Sequence, residues 1–180
     1  MEAHNLKAAS KAALCALAVT CSAGSVHAHC FAQAASRFSV SAELLQAIAY
    51  VESHFRPEAV STNRDGSINY GMMQIHESNL SWLGHTKETI MEPCANVMAG
   101  ARVMADMIKR YGMTWRAVGS YNAGTSPALD GSRQEYVAKV RAAYESGAAP
   151  GKNLRLLANS KQKSSATTVA AASSQMAVFE

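Results

Sequence analysis

Glu52 is the residue of this chain best placed for acid–base chemistry. Leu44, Ile48, Val51 and Phe55 recur at helical spacing, which predicts a helix over Ala42 to Ser53. Glu52 lies one turn after Ile48 and two turns after Leu45, so its side chain faces a partly apolar surface. It also falls in the last helical turn, where unpaired carbonyls create negative potential. Both effects disfavour the ionised carboxylate and raise its pKa. A carboxyl that keeps its proton near neutral pH can give it to a glycosidic oxygen. The plainer reading is a surface glutamate, paired with Arg56 one turn on. Asp65, in the loop that follows, is a second carboxylate that could activate water in a two-carboxylate glycosidase. Its Asp65-Gly66 setting also reads simply as a turn. His27, His29, His54, His76 and His85 show no metal-ligand spacing, so neither a metal nor a cofactor is expected.

The elements that must hold these groups are mostly helices, and strand-like alternation is scarce between about Cys30 and Glu145. Ser41 can cap the helix that carries Glu52, and Pro57 disfavours helical geometry at Arg56, stopping that helix just after Glu52. Val60 to Tyr70 is polar, holds Asn63, Asp65 and Gly66, and reads as a loop. Gly71 to Leu83 is expected to contain a short helix. Pro93 suits a first helical position. Beyond it Val97, Ala101, Met104, Ile108 and Tyr111 mark one apolar face, and Gly112 can end that helix. Thr114 can cap a helix through Tyr121. Ser132 and Glu135 form a capping-box pattern before a last helix that turns Val137, Val140 and Tyr144 inward. The expected architecture is mainly α, a single helical domain over residues 29–147.

Both ends of the 180-residue chain differ from its middle. Residues 1–28 read as a secretory signal peptide: Lys7 and Lys11, an apolar run from Ala12 to Val19, then Val26-His27-Ala28 before the cut. That run is shorter than the roughly 20 residues a membrane span needs. Export places the mature protein in the periplasm. Residues 148–180 are rich in Ala, Ser, Thr, Lys and Gln and read as a flexible tail without the bulky apolar groups that offset ordering entropy. Loss of the leader removes Cys15 and Cys21, leaving Cys30 and Cys94. Two cysteines in an exported domain can form one disulfide. The formal charge of +4 comes without a dense basic stripe, which argues against nucleic acid and suits an anionic cell-wall polymer without requiring one.

Four short motifs, in order, carry a resemblance. Glu52-Ser53 ends a helix; Gly71-Met72-Met73-Gln74-Ile75 follows a polar loop; Tyr121-Asn122-Ala123-Gly124 follows a third helix; Tyr136 lies beyond. Together they resemble the catalytic domain of the soluble lytic transglycosylases, relatives of goose-type lysozyme, over roughly residues 30–145. Cys30 and the Pro93-Cys94 step are similar to those of a small subgroup that accompanies secretion, conjugation and pilus machines. The resemblance implies a lysozyme-like fold and a monomer that cleaves peptidoglycan glycan strands, serving such a machine.

The same resemblance implies roles at matching positions. Glu52 would be general acid, then general base. Ser61 would hydrogen-bond its carboxyl, unless it is an ordinary loop serine. Met73 and Gln74 would line the sugar cleft, Met73 having a core methionine as its alternative and Gln74 offering an amide that both donates and accepts. Tyr121 and Asn122 would face the scissile bond, and Tyr121-Asn122-Ala123-Gly124 is also a helix C-cap. Tyr136 would bring its hydroxyl to Glu52, or sit in the core. The product would be a 1,6-anhydromuramoyl end. The alternatives are a hydrolytic muramidase using Glu52 with Asp65, and a non-catalytic glycan-binding scaffold whose tail recruits the machine. Asn69-Tyr70, His76 and Ser120 depart from the family pattern, His76 reading as a rim residue.

Overall fold

The computed structural model describes residues 23–147; the expected leader up to Ser22 and the expected tail from Ala148 lie outside them. Six helices are laid down in order, α1 (Ala23–Phe38), α2 (Ala42–Ser53), α3 (Leu80–Leu83), α4 (Pro93–Tyr111), α5 (Trp115–Ala123) and α6 (Asp130–Ser146). The mainly α architecture matches the expectation. α4 is the central strut. It packs on α1 and α5, while α6 closes the domain against α2 and α5. Its inner face buries Val97, Ala101, Met104 and Met107, and Pro93 at its first turn leaves no helical N–H unsatisfied there.

Three helix starts follow from their own residues. Ser41 Oγ accepts from the Leu44 N–H at 3.2 Å. Glu92 accepts from Cys94 and Ala95. Thr114 Oγ1 accepts from the Ala117 N–H at 3.4 Å. Each satisfies an orphan donor of the first turn. The last helix departs from its expected start. Ser132 lies inside it, and α6 begins at Asp130 with no side-chain cap. The cause is Arg133, which is buried and donates to Gly124 O at 2.8 Å, Ser126 O at 2.7 Å and Asp130 Oδ1 at 3.0 Å. That guanidinium gathers the 124–130 segment and winds it into the helix early.

The segment expected as a loop forms a small antiparallel sheet, β1 (Val60–Thr62), β2 (Ile68–Tyr70) and β3 (Ile75–His76), in the order β1-β2-β3. Val60 pairs with Tyr70 and Asn69 with His76. Strands of three and two residues are too short to show a period of two in the sequence. Cys30 and Cys94 are bonded, their Cα atoms 5.2 Å apart across a separation of 64 residues. The bond joins α1 to the first turn of α4, and closing a loop of that length stabilises a fold by about 4 kcal/mol.

Candidate active site

Glu52 lies next to the end of α2, which stops at Ser53 because the chain turns left-handed at the next residue. His54 adopts φ 55° and Phe55 φ 63°, and the His54 N–H closes back on Ala49 O and Tyr50 O. Positive φ is costly for both residues. The turn swings the Phe55 ring edge-on against Phe31, centroids 6.2 Å apart, and Tyr50 stacks on His54 at 4.6 Å. The stop is thus made by this left-handed pair and its aromatic plug, upstream of Pro57. Ser53 is buried, donates to Met72 O at 2.8 Å and accepts from the Arg56 N–H at 3.0 Å. The helix end is thereby tied to the turn that follows the sheet. Arg56 donates through Nε to Ser53 O at 2.9 Å, so it does not pair with Glu52.

Tyr136 on α6 is buried and donates its hydroxyl to Glu52 Oε1 at 2.6 Å. Among the described residues Oε2 has no hydrogen-bond partner. Burial pushes the Glu52 carboxyl up from 4.5 to about 7, against the opposing pull of the Tyr136 hydrogen bond and of Lys139. At neutral pH the group is therefore divided between acid and carboxylate, the condition a donor and acceptor of protons needs. Burial and the neighbouring Glu52 hold the Tyr121 and Tyr136 phenols well above the ordinary tyrosine range, so both remain donors.

Glu52 opens into a cavity of about 790 Å³, within the range of small-ligand sites. One wall comes from Gln74 and His76 beside the sheet, another from Asp106 on α4, and a third from Tyr121 and Asn122 on α5. The Tyr121 hydroxyl donates to Met73 O at 2.8 Å, which fixes its ring at the cavity. Asn122 is exposed there, and among the described residues its amide has no hydrogen-bond partner.

Two expected contacts are corrected. Ser61 donates to Gln74 Oε1 at 2.6 Å and does not bond Glu52, because β1 carries it along the exposed edge of the sheet. Met73 is fully buried and lines no part of the cavity. A Cβ on Gly100 of α4 would fall 2.7 Å from its Cε, so the missing side chain at that glycine is what admits the methionine to the core. Gln74 does line the cavity, at φ 49°. Its amide nonetheless donates inward, to Gly71 O at 2.9 Å and Ala59 O at 3.2 Å, which leaves only Oε1 to share with a ligand. Asp65 is also displaced from the expected alternative. It is fully exposed in the β1–β2 turn, lines no part of the cavity, and is held below the usual carboxylate range by its hydrogen bonds to Ser67.

Two residues not singled out in the sequence shape the site. Asn96 is buried on α4; its Oδ1 accepts from the Met73 N–H at 2.7 Å while Nδ2 donates to Tyr70 O at 2.9 Å and Ile90 O at 3.0 Å. Gly71, at φ 72°, passes so close that a Cβ there would lie 2.3 Å from Asn96 Nδ2, which is why the turn needs glycine. Asp106 is a second carboxylate at the cavity, with Oδ2 held by Arg110 Nε at 2.9 Å. Among the departures, His76 accepts at Nδ1 from the Ser78 N–H at 3.1 Å and sits on the cavity wall, while Ser120 Oγ is buried with no hydrogen-bond partner in the described residues.

A family model described as the transglycosylase SLT domain matches residues 29–143. The invasion protein IagB of Salmonella typhi is 44% identical over 117 residues, 63% of this chain and 73% of that protein. Protein IpgF of Shigella flexneri is 37% identical over 139 residues, 75% of this chain and 86% of that protein. Among solved structures, an inactive mutant of lytic transglycosylase Slt from Pseudomonas aeruginosa aligns with TM-score 0.57 at 19% identity. The alignment covers 71% of this chain and 24% of that longer chain, and it speaks for the fold.

Proposed function

The chain belongs to the transglycosylase SLT domain family, and from that premise we propose that it is a peptidoglycan lytic transglycosylase with Glu52 as its acid–base group. The observation that carries this reading is the Glu52 carboxyl itself: half-buried, gripped by Tyr136, raised to about 7, and open to the cavity. A protein that only bound glycan would gain nothing from holding an acid in that state.

Glu52 in its acid form gives its proton to the oxygen between N-acetylmuramic acid and N-acetylglucosamine. The C1–O bond breaks, and the positive charge at C1 is shared with the substrate's own ring oxygen and acetamido group. The Tyr136 hydrogen bond steadies the carboxylate that remains. That carboxylate then takes the proton of the C6 hydroxyl, whose oxygen closes on C1. The products are a 1,6-anhydromuramoyl end and a free 4-hydroxyl on the departing N-acetylglucosamine, and Glu52 regains its proton without consuming water. Tyr121, pinned through its hydroxyl to Met73 O, offers its ring face to a sugar. The unbonded Asn122 amide is placed to orient the N-acetyl group.

The cellular setting belongs to the same proposal. Its location in the periplasm rests on the leader pattern alone, Lys7 and Lys11 before the apolar run from Ala12 to Val19. The enzyme opens the wall locally for a secretion or pilus apparatus, a setting in keeping with one relative's being an invasion protein. Mass spectrometry of digested peptidoglycan tests the chemistry. Products lighter by one water than those of a muramidase are expected, and reducing ends would overturn the anhydro mechanism.

A further inference from the structure

Trp82 is one of three large hydrophobic residues exposed among the described residues, with Val60 and Leu129, and it alone of the three lines the Glu52 cavity. Its ring is 43% exposed yet held on two sides. The indole N–H donates to Asn79 Oδ1 at 3.1 Å. The Arg102 guanidinium lies over the ring, 4.8 Å from its centroid. Trp82 lines the cavity and Arg102 does not. A single exposed apolar side chain needs no explanation. One that is oriented by both a hydrogen bond and a stacked cation, inside a cleft, has given up its freedom while 43% of its surface stays open.

We propose that Trp82 is a sugar-stacking platform for a saccharide unit outside the pair flanking the cut bond, and this rests on the glycan-cleaving reading above. Trp82 is carried by α3, whereas the groups acting on Glu52 come from α5 and α6. The cavity, about 790 Å³, is more than double the roughly 300 Å³ at which small-ligand sites begin, so it has room beyond the reacting rings. Asn79 and Ser78 also line the cavity, and amide and hydroxyl groups suit sugar hydroxyls. An amphipathic indole with its polar edge already satisfied is suited to the apolar face of a pyranose. Longer glycans therefore bind more tightly than short ones, and Trp82 is the residue that reads the length.

The test uses the full chain carrying Glu52→Gln, titrated with the trimer and the hexamer of N-acetylglucosamine. The hexamer is expected to bind roughly tenfold more tightly than the trimer, the equivalent of one stacked ring. Trp82→Ala is expected to abolish that difference and Trp82→Phe to keep part of it. The chain has two tryptophans, so the indole N–H of Trp82 is resolved by NMR and should shift with the hexamer. Equal length dependence in Trp82→Ala that retains its native spectrum, or an unmoved indole signal, overturns the proposal. The catalytic reading fails by a separate result, muropeptide release by Glu52→Gln, which this titration does not touch.

Discussion

The end of α2 and the turn between β1 and β2 each carry a carboxylate, thirteen positions apart in sequence, and the two behave oppositely. Glu52 is half-buried, has one neutral donor, and is pushed up to about 7. Asp65 is open to water, takes both the Ser67 N–H and hydroxyl, and is pulled down. The contrast teaches that an acid–base group here is made by withholding water and limiting donors. Proximity in sequence to a polar, turn-rich segment makes only a well-solvated anion.

The largest expected effect breaks the pair at its buried member. Glu52→Gln should lower muropeptide release by about 10³-fold, the scale of a lost general acid–base group, measured on purified sacculi. The same substitution should act oppositely on stability. A carboxyl whose folded pKa is raised contributes stability fully present below 4.5 and lost as pH rises through about 7. Glu52→Gln should therefore stabilise the fold by up to roughly 3 kcal/mol at pH 8 relative to its effect at pH 4, read from denaturant unfolding.

The next effect sharpens the contrast by changing the donor. Because the acid form must start the reaction, the rate should fall about tenfold per pH unit above about 7. The Tyr136 hydroxyl favours the carboxylate, so Tyr136→Phe should move that alkaline limb upward, by up to about one pH unit. A downward movement would mean that Tyr136 stabilises the acid. Asp106→Asn should change the rate by less than about tenfold and leave the product anhydro, since Arg110 already engages that carboxylate. The smallest effect is Asp65→Asn, expected within about twofold of wild type. A loss on the scale of Glu52→Gln would restore Asp65 to the chemistry.

The legible parts of the molecule were those set by local rules. Ser41, Pro93 and Thr114 mark helix starts through their own caps or fixed φ, and the apolar spacing around Ile48 faces Glu52 inward. The illegible parts depend on partners distant in sequence. Nothing near Arg133 indicates that it will gather the 124–130 segment, so the Ser132–Glu135 pattern points to the wrong start. Met73 and Gln74 are adjacent, and one left-handed residue at Gln74 sends the first into the core and the second to the cleft edge. Asn96, one turn into a helix, looks like any solvent-facing amide until Gly71 brings Tyr70 and Met73 against it.

That asparagine limits how the groove can be redesigned. Its position requires two protons offered and one accepted, at once, by a fully buried side chain. Aspartate would set lone pairs against two carbonyls, and serine is too short to span three strands of backbone. The turn that leads into Gln74 is therefore tied to the long central helix through one amide, and a change there would shift the cavity wall that begins at Gln74.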